Sequence, residues 1–289
     1  FIHFWNKGLE GKDFAKNTRQ FIYATMAEDI LQATNPSLQF AMINRANPVC
    51  QLPNTSKVIA AFSKIPFKVV IDQFMTDTAQ LADLVLPCTT YLEEDNLYKN
   101  SWHNMIILGE KVIEPQGETK SDELIFAELA QRMGIGKYFA RSIEEWLDYA
   151  LEPMKQYGVS LEALRKGPMR PSNAFSVAWA NKLFNTPSGK FEFYSTKALQ
   201  DGLSPLPIFT KNKASSKYPL ILLTPHSKYR INSQFANIES VRSFNPEPRL
   251  DIHPDTADLL GLDEGDEAII QSPQGSLQIK VRLSPGIHP

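Results

Sequence analysis

Residues 69–87 read VVIDQFMTDTAQLADLVLP, and this stretch decides the fold. Phe67, Val69, Val70 and Ile71 form a short apolar, β-branched run, the composition of a strand covered on both faces within a parallel sheet. Asp72 follows at once, just beyond the strand's carboxyl end, where open α/β sheets collect ligands. A Thr-rich turn, a short helix and a second buried strand ending at Pro87 complete the unit. A carboxylate at position 72 has two uses: accepting two parallel N–H bonds from a guanine edge, or capping the helix near Thr78.

Working outward, residues 17–34 read as an amphipathic helix, with Phe21, Ile22, Met26, Ile30 and Leu31 on one face and Asn35-Pro36 ending it. A strand is expected over 38–43, a loop over 44–48 and a helix over 54–63 leading into the Phe67 strand. That alternation argues for a βαβ sheet. Further helices are expected over 121–133, with Asp122 and Glu123 in the first turn and Gly134 after the end, then over 142–154 and 160–166. After Gly167 prolines accumulate and a Lys- and Ser-rich connector covers 210–218. Short strand-like runs at 191–194, 220–224, 267–271 and 276–283, separated by turns such as Glu264-Gly265-Asp266, predict a small β barrel. The boundary between an α/β domain over 1–170 and a mainly-β domain over 171–289 follows from this change of texture.

The composition, 43% apolar and 21% charged, is that of a globular chain long enough for two domains. A formal charge of −2 offers no basic field for nucleic acid, and the apolar runs are too short for a direct membrane span. Cys50 and Cys88 are the two cysteines; without a CxxC pair they make neither a zinc site nor an iron–sulfur ligand set, and packing as small core residues is expected of both. The chain opens on FIHFWNKGLEG and stops at GIHP, which reads as a piece of a longer polypeptide.

Several motifs carry a family resemblance. Asp72, Phe74, Thr76, Thr78, Ala79, Ala82, Asp83, Leu86 and Pro87 spell a D-x-F-x-T-x-T-A-x-x-A-D-x-x-L-P run. NTPSGKFEFYS at 185–195, LLTPHSKYRINSQF at 222–235 and IHPDTADLLGLDEGD at 252–266 follow in order. Together they resemble the third and fourth domains of the molybdopterin oxidoreductases of the dimethyl sulfoxide reductase family, over roughly residues 30–289. The resemblance implies a Rossmann-like α/β domain followed by a double-psi β barrel. It implies a bis-molybdopterin guanine dinucleotide carrying molybdenum or tungsten, and an iron–sulfur cluster in an N-terminal part outside this sequence. It also implies two-electron oxygen-atom or hydride-equivalent transfer on a small molecule. The implied partners are the N-terminal domains of the same polypeptide and an iron–sulfur electron-transfer subunit.

The same resemblance assigns residues to the cofactor. Asn47, in an Asn-Pro loop, Asp72, Thr76 and Asp122 are implied on the nucleotide side of the α/β domain. Thr224, His226, Ser227, Arg230, Ser233 and Gln234 are implied in the loop of the β domain. A dinucleotide needs a carboxylate for guanine's N1–H and amino group, and hydroxyls, backbone N–H groups and a cation for its pyrophosphate. Arg230 is suited to a bidentate phosphate clamp and His226 to pterin or phosphate oxygens. Each has a plainer reading: Asn47 as a turn residue before proline, Asp122 as a helix-start acid, and the 224–234 loop as a solvated connector. The nitrate reductase branch places a cofactor-contacting Lys where this chain has Glu94, and an Arg pair after it is missing, so that branch is disfavoured. The catalytic metal ligand lies outside the sequence, and no catalysis is expected from these residues alone. Two rivals stand beside this reading. One is a metal-free electron-transfer relative such as the complex I iron–sulfur subunit, against which the dense donor loop argues. The other is an ordinary NAD enzyme, against which the lack of a G-x-G-x-x-G after any expected strand argues, since Gly134-Ile135-Gly136 closes a helix.

Overall fold

The computed structural model describes residues 19, 21–210, 217–244, 247–273 and 275–289. It divides into two compact units, Phe1–Phe193 and Tyr194–Pro289. In the first, β1 (Phe40–Asn44), β2 (Phe67–Asp72) and β3 (Leu84–Pro87) form a sheet in that order, all parallel. The register pairs Asn44 with Ile71 and Asp72 with Pro87, so the three carboxyl ends fall level. Side chains alternate across β1: Ala41 and Ile43 pack on the cluster of Ile30, Val49, Val58, Phe62 and Ile65, whereas Met42 packs with Ile71, Cys88 and Ile125. Helices α1 (Met26–Gln32) and α3 (Thr55–Ser63) therefore cover one face and α4 (Asp122–Arg132) the other. Val70 and Ile71 are fully buried, as expected of a strand covered on both faces.

The crossovers are built from local chemistry. Pro48 opens the single turn α2 (Pro48–Gln51), where its missing N–H costs nothing. Asn54, at φ 62°, turns the chain and accepts from the Lys57 N–H at 3.2 Å to start α3. Ser121 caps α4 in the same way, and α5 (Ile143–Lys155) begins with a capping box between Ser142 and Glu145. A hairpin of β4 (Asn96–Asn100) and β5 (His103–Gly109) packs Leu97, Ile106 and Leu108 against Leu151 of α5, Val159 in the turn after it, and Leu161 and Leu164 of the short α6 (Leu161–Leu164). Ile106 and Met169 then exchange backbone bonds at 2.8 and 2.9 Å, tying the segment after α6 to this hairpin.

The second unit carries the short helices α7 (Thr196–Gln200) and α8 (Glu239–Arg242) before its sheet. That sheet has the order β6-β8-β7, with β6 (Arg249–Ile252) parallel and β7 (Glu267–Ser272) antiparallel to β8 (Gly275–Leu283). Its core is Ile252, Val281 and Ala257 of α9 (Pro254–Leu260). Gly265, at φ 89°, makes the turn into β7.

Four expectations need correction. The helix expected over 17–34 is a 3-10 turn, Tyr23–Thr25, followed by Met26–Gln32; the Thr25 hydroxyl donates to the Asp29 carboxylate at 3.0 Å, and Ile22, expected on the apolar face, stays 70% exposed; residues 17, 18 and 20 lie outside the described residues. The β3 strand is a half-exposed edge, not a buried strand, with Leu84 45% exposed. The run 191–194 is no strand; Phe191 stacks edge-on with Phe184 and Phe193 in an exposed aromatic ladder. The run 220–224 has no regular structure and enters no ladder among the described residues, since β-propensity is realised only against a partner strand.

Candidate nucleotide-binding site

The carboxyl end of the parallel sheet gathers polar side chains from four segments. β1 ends at Asn44, and Arg45 then turns through φ 49°, its N–H donating to the Ile71 carbonyl at 2.8 Å. This holds Arg45 alongside Asp72, which ends the neighbouring strand. Asp122 opens α4 below them. Its carboxylate accepts from Asn44 Nδ2 at 3.0 Å and from Arg45 Nε at 2.9 and 3.1 Å. Arg45 Nη2 reaches Glu94 at 3.0 Å, and the same Glu94 oxygen accepts from the Thr89 hydroxyl. Glu94 is buried, while the Arg45 and Asp122 side chains keep 31% and 24% exposure. A guanidinium thus joins two carboxylates that arrive from distant points of the chain.

Electrostatics mark the same cluster. Burial opposes the Arg45 charge, but Asp122, Cys88 and Glu94 together outweigh it and raise its pKa above the ordinary value. Beneath them the Cys88 thiol is pushed up to about 11 by burial; Arg45 works against this rise, and Asp122, Asp72 and Glu94 add to it. Cys88 is buried in the core and stays protonated near neutral pH. Cys50, expected to pack in the core like Cys88, is instead exposed and donates to Asp77 at 2.9 Å.

The sequence-expected residues of this unit fall into two groups. Asp72 and Asp122 stand at the sheet's carboxyl end. Asp72 does not cap the helix near Thr78; one of its oxygens accepts from the Gln73 N–H at 2.7 Å. Asn47 is buried in the adjoining turn, and its Oδ1 accepts from the N–H and hydroxyl of Thr78 at 3.2 and 2.7 Å. Thr78 in turn accepts from the Val49 N–H at 3.1 Å, and Thr76 accepts from the Ala79 N–H at 3.2 Å. Asn47 and Thr76 thus brace the two loops flanking the strand ends. Arg45 and Glu94 are the members that sequence reading missed as site residues. The available signal was Glu94 itself, an acid where the resemblance implied a Lys.

In the second unit Thr224, His226, Ser227, Arg230, Ser233 and Gln234 lie in one loop without regular structure. Thr224, His226 and Gln234 are exposed, whereas Ser227, Arg230 and Ser233 are half-buried. The loop folds by local turns: the Arg230 N–H donates to the Ser227 carbonyl at 3.3 Å, and the Gln234 N–H to the Ile231 carbonyl at 2.9 Å. Asn232 and Phe235 adopt φ 54° and 68°, and Tyr229 stacks on Phe244 with centroids 5.1 Å apart. Among the described residues no cluster of His, Cys, Asp and Glu could hold a metal ion, and no helix is long and apolar enough to cross a membrane.

These donor sets fit a dinucleotide cofactor. Carboxylates backed by an Arg suit a base, and an open loop of hydroxyl, imidazole and guanidinium groups suits a pyrophosphate. Comparison with known proteins agrees. Residues 10–132 match the molybdopterin oxidoreductase family model, and residues 220–289 match the molydopterin dinucleotide binding domain. The chain is 38% identical over 298 residues to the probable oxidoreductase YyaE of Bacillus subtilis, covering 96% of this chain and 44% of that protein. It is 28% identical over 277 residues to the dimethyl sulfoxide reductase DmsA of Escherichia coli, covering 84% of this chain and 34% of that protein. The solved acetylene hydratase from Pelobacter acetylenicus superposes with a TM-score of 0.77 at 26% identity, covering 97% of this chain and 40% of that one. The chain therefore spans less than half the length of these relatives. On the two family models, the relatives and the shared fold, the chain belongs to the molybdopterin oxidoreductases of the dimethyl sulfoxide reductase family.

Proposed function

We propose that this chain is the C-terminal, cofactor-holding part of a bis-molybdopterin guanine dinucleotide oxidoreductase, with an α/β domain over 1–170 and a double-psi barrel domain over 171–289. When bound, the cofactor supplies two-electron oxygen-atom or hydride-equivalent transfer at molybdenum or tungsten. The chain's own residues bind and orient its nucleotide arms. Asp72 and Asp122 take guanosine at the carboxyl end of the parallel sheet, with Asn47 and Thr76 keeping the flanking loops in place. Thr224, His226, Ser227, Arg230, Ser233 and Gln234 take phosphate and pterin oxygens. The observation that carries this reading is the level row of strand ends, with Asp72 half-buried and one carboxylate oxygen engaged by the Gln73 N–H. That bond fixes the carboxylate's orientation and leaves acceptor capacity for a base.

The electron path completes the proposal: an iron–sulfur cluster in the N-terminal part of the same polypeptide, an iron–sulfur partner subunit and a small-molecule substrate. The relative named a dimethyl sulfoxide reductase favours oxygen-atom transfer as the reaction class. These residues alone are expected to be inactive, because the metal's protein ligand belongs to the N-terminal part. Asp72→Asn in the full-length protein tests the guanosine role, since the amide keeps the shape but replaces one acceptor by a donor. The expected outcome is about a tenfold or greater loss of bound guanine nucleotide, measured as GMP released by acid, with the thermal midpoint kept within a few degrees. Full GMP content in Asp72→Asn would reduce Asp72 to a strand-end cap.

A further inference from the structure

We propose that the aromatic ladder of Trp179, Phe184, Phe191 and Phe193 is a docking ridge for the N-terminal part of the same polypeptide; this rests on the reading above that the chain is the C-terminal part of a longer protein. All four rings belong to the first unit and follow one another in space. Trp179 stacks on Phe184 with centroids 6.2 Å apart, Phe184 meets Phe191 edge-on at 5.7 Å, and Phe191 meets Phe193 edge-on at 4.9 Å. Trp179, Phe191 and Phe193 nevertheless stay 62%, 61% and 79% exposed. The backbone holds the rings in this order. The Phe184 N–H donates to the Gly189 carbonyl at 3.2 Å, the Thr186 hydroxyl to the Lys190 carbonyl at 2.7 Å, and the Ser188 N–H to the Glu192 carboxylate at 3.0 Å. Gly189 bends this loop at φ 67°, while Trp179 and Lys182 take φ 53° and 56° without being glycine. A bulky residue persists in that region only where its surroundings fix it. The ladder is therefore pre-organised, which lowers the entropy cost of docking.

Length and area select the occupant. The ladder lies between the segments matched to the two family models, 10–132 and 220–289. The chain spans 44% of YyaE and 40% of the acetylene hydratase chain. In a parent of that length, more than half of the polypeptide lies outside these residues and needs surfaces to pack on. The three exposed rings present about 400 Å² of contiguous apolar surface, and an open patch of that size on a monomer is often functional. A freely diffusing partner or a second copy needs more, about 800 Å² on each side. A covalently tethered domain needs less, because the tether holds its effective concentration in the millimolar range. The ridge offers ring faces, ring edges and one indole N–H, so its complement is an apolar groove with an acceptor for that N–H.

The test uses the full-length protein with p-benzoylphenylalanine in place of Phe193, irradiated and mapped by peptide mass spectrometry, with total pterin measured on the same sample. The expected result is a cross-link from position 193 to residues N-terminal of this sequence in the same polypeptide. In the unsubstituted full-length protein, hydroxyl radicals should oxidise Trp179 severalfold more slowly than in the urea-unfolded chain. A cross-link to a second polypeptide, a cross-link that stays within residues 1–289, or no cross-link would overturn the assignment. So would Trp179 oxidised as fast as in the unfolded chain. A parent no longer than 289 residues, or one free of pterin, would instead overturn the reading on which the docking rests. Pterin-loaded protein without the N-terminal cross-link would overturn the docking alone.

Discussion

Single residues in this chain serve the site by fixing other residues. Asn47 accepts twice from Thr78, and Thr76 accepts from Ala79, so two of the expected cofactor residues shape the loops through bonds already made. Glu93 does the same for the segment before the hairpin. It is 5% exposed and accepts from the Thr90 and Gln116 N–H groups, each at 2.7 Å. Those backbone donors hold its carboxyl below the ordinary 4.5. A depressed folded-state pKa contributes stability that is present above the unfolded value and lost as pH falls through the folded one. Glu93→Gln should therefore lower the thermal midpoint at pH 7, with the gap to wild type closing as pH falls below 4.5. A gap of constant size across that range would show that shape, not charge, is what Glu93 contributes.

At the scale of elements, β2 organises the first unit. It is the central strand, and its Ile71 joins Cys88 and Ile125 in the core beneath the site. Truncating Ile71 to Ala removes buried methyl groups where the surroundings cannot collapse, and should cost about 2–5 kcal/mol in chemical denaturation. A loss under about 1 kcal/mol would mean that the sheet end is loosely packed and cannot hold Asp72 in place. This element was legible in the sequence because a β-branched run bounded by Ser63-Lys64 and Asp72 has little else to become. The hairpin Asn96–Asn100 with His103–Gly109 was not legible, since the largely polar stretch 99–104 hides two short strands that stabilise each other only when paired. Conversely, 220–224 had strand composition but no ladder partner among the described residues. Asp72 and Asp122 were singled out by motif position, and the structure places both at the carboxyl end of the sheet. The Arg45–Glu94 link was not, because residues 49 positions apart meet only through the sheet.

For the whole molecule, the two units carry different donor sets. One ends a parallel sheet with carboxylates and a guanidinium; the other presents an irregular loop rich in hydroxyl and cationic groups. Under the proposed function, the first set suits a base and the second a pyrophosphate. The chain spans 44% of the length of YyaE. Holding the cofactor is therefore the central claim, and its content in the full-length protein is the direct test, by elemental analysis with oxidised-pterin fluorescence. The account predicts about one molybdenum or tungsten and two pterins per polypeptide, the stoichiometry of a bis-dinucleotide centre. A folded protein that carries iron but neither pterin nor molybdenum or tungsten would contradict it and point to the metal-free electron-transfer relative.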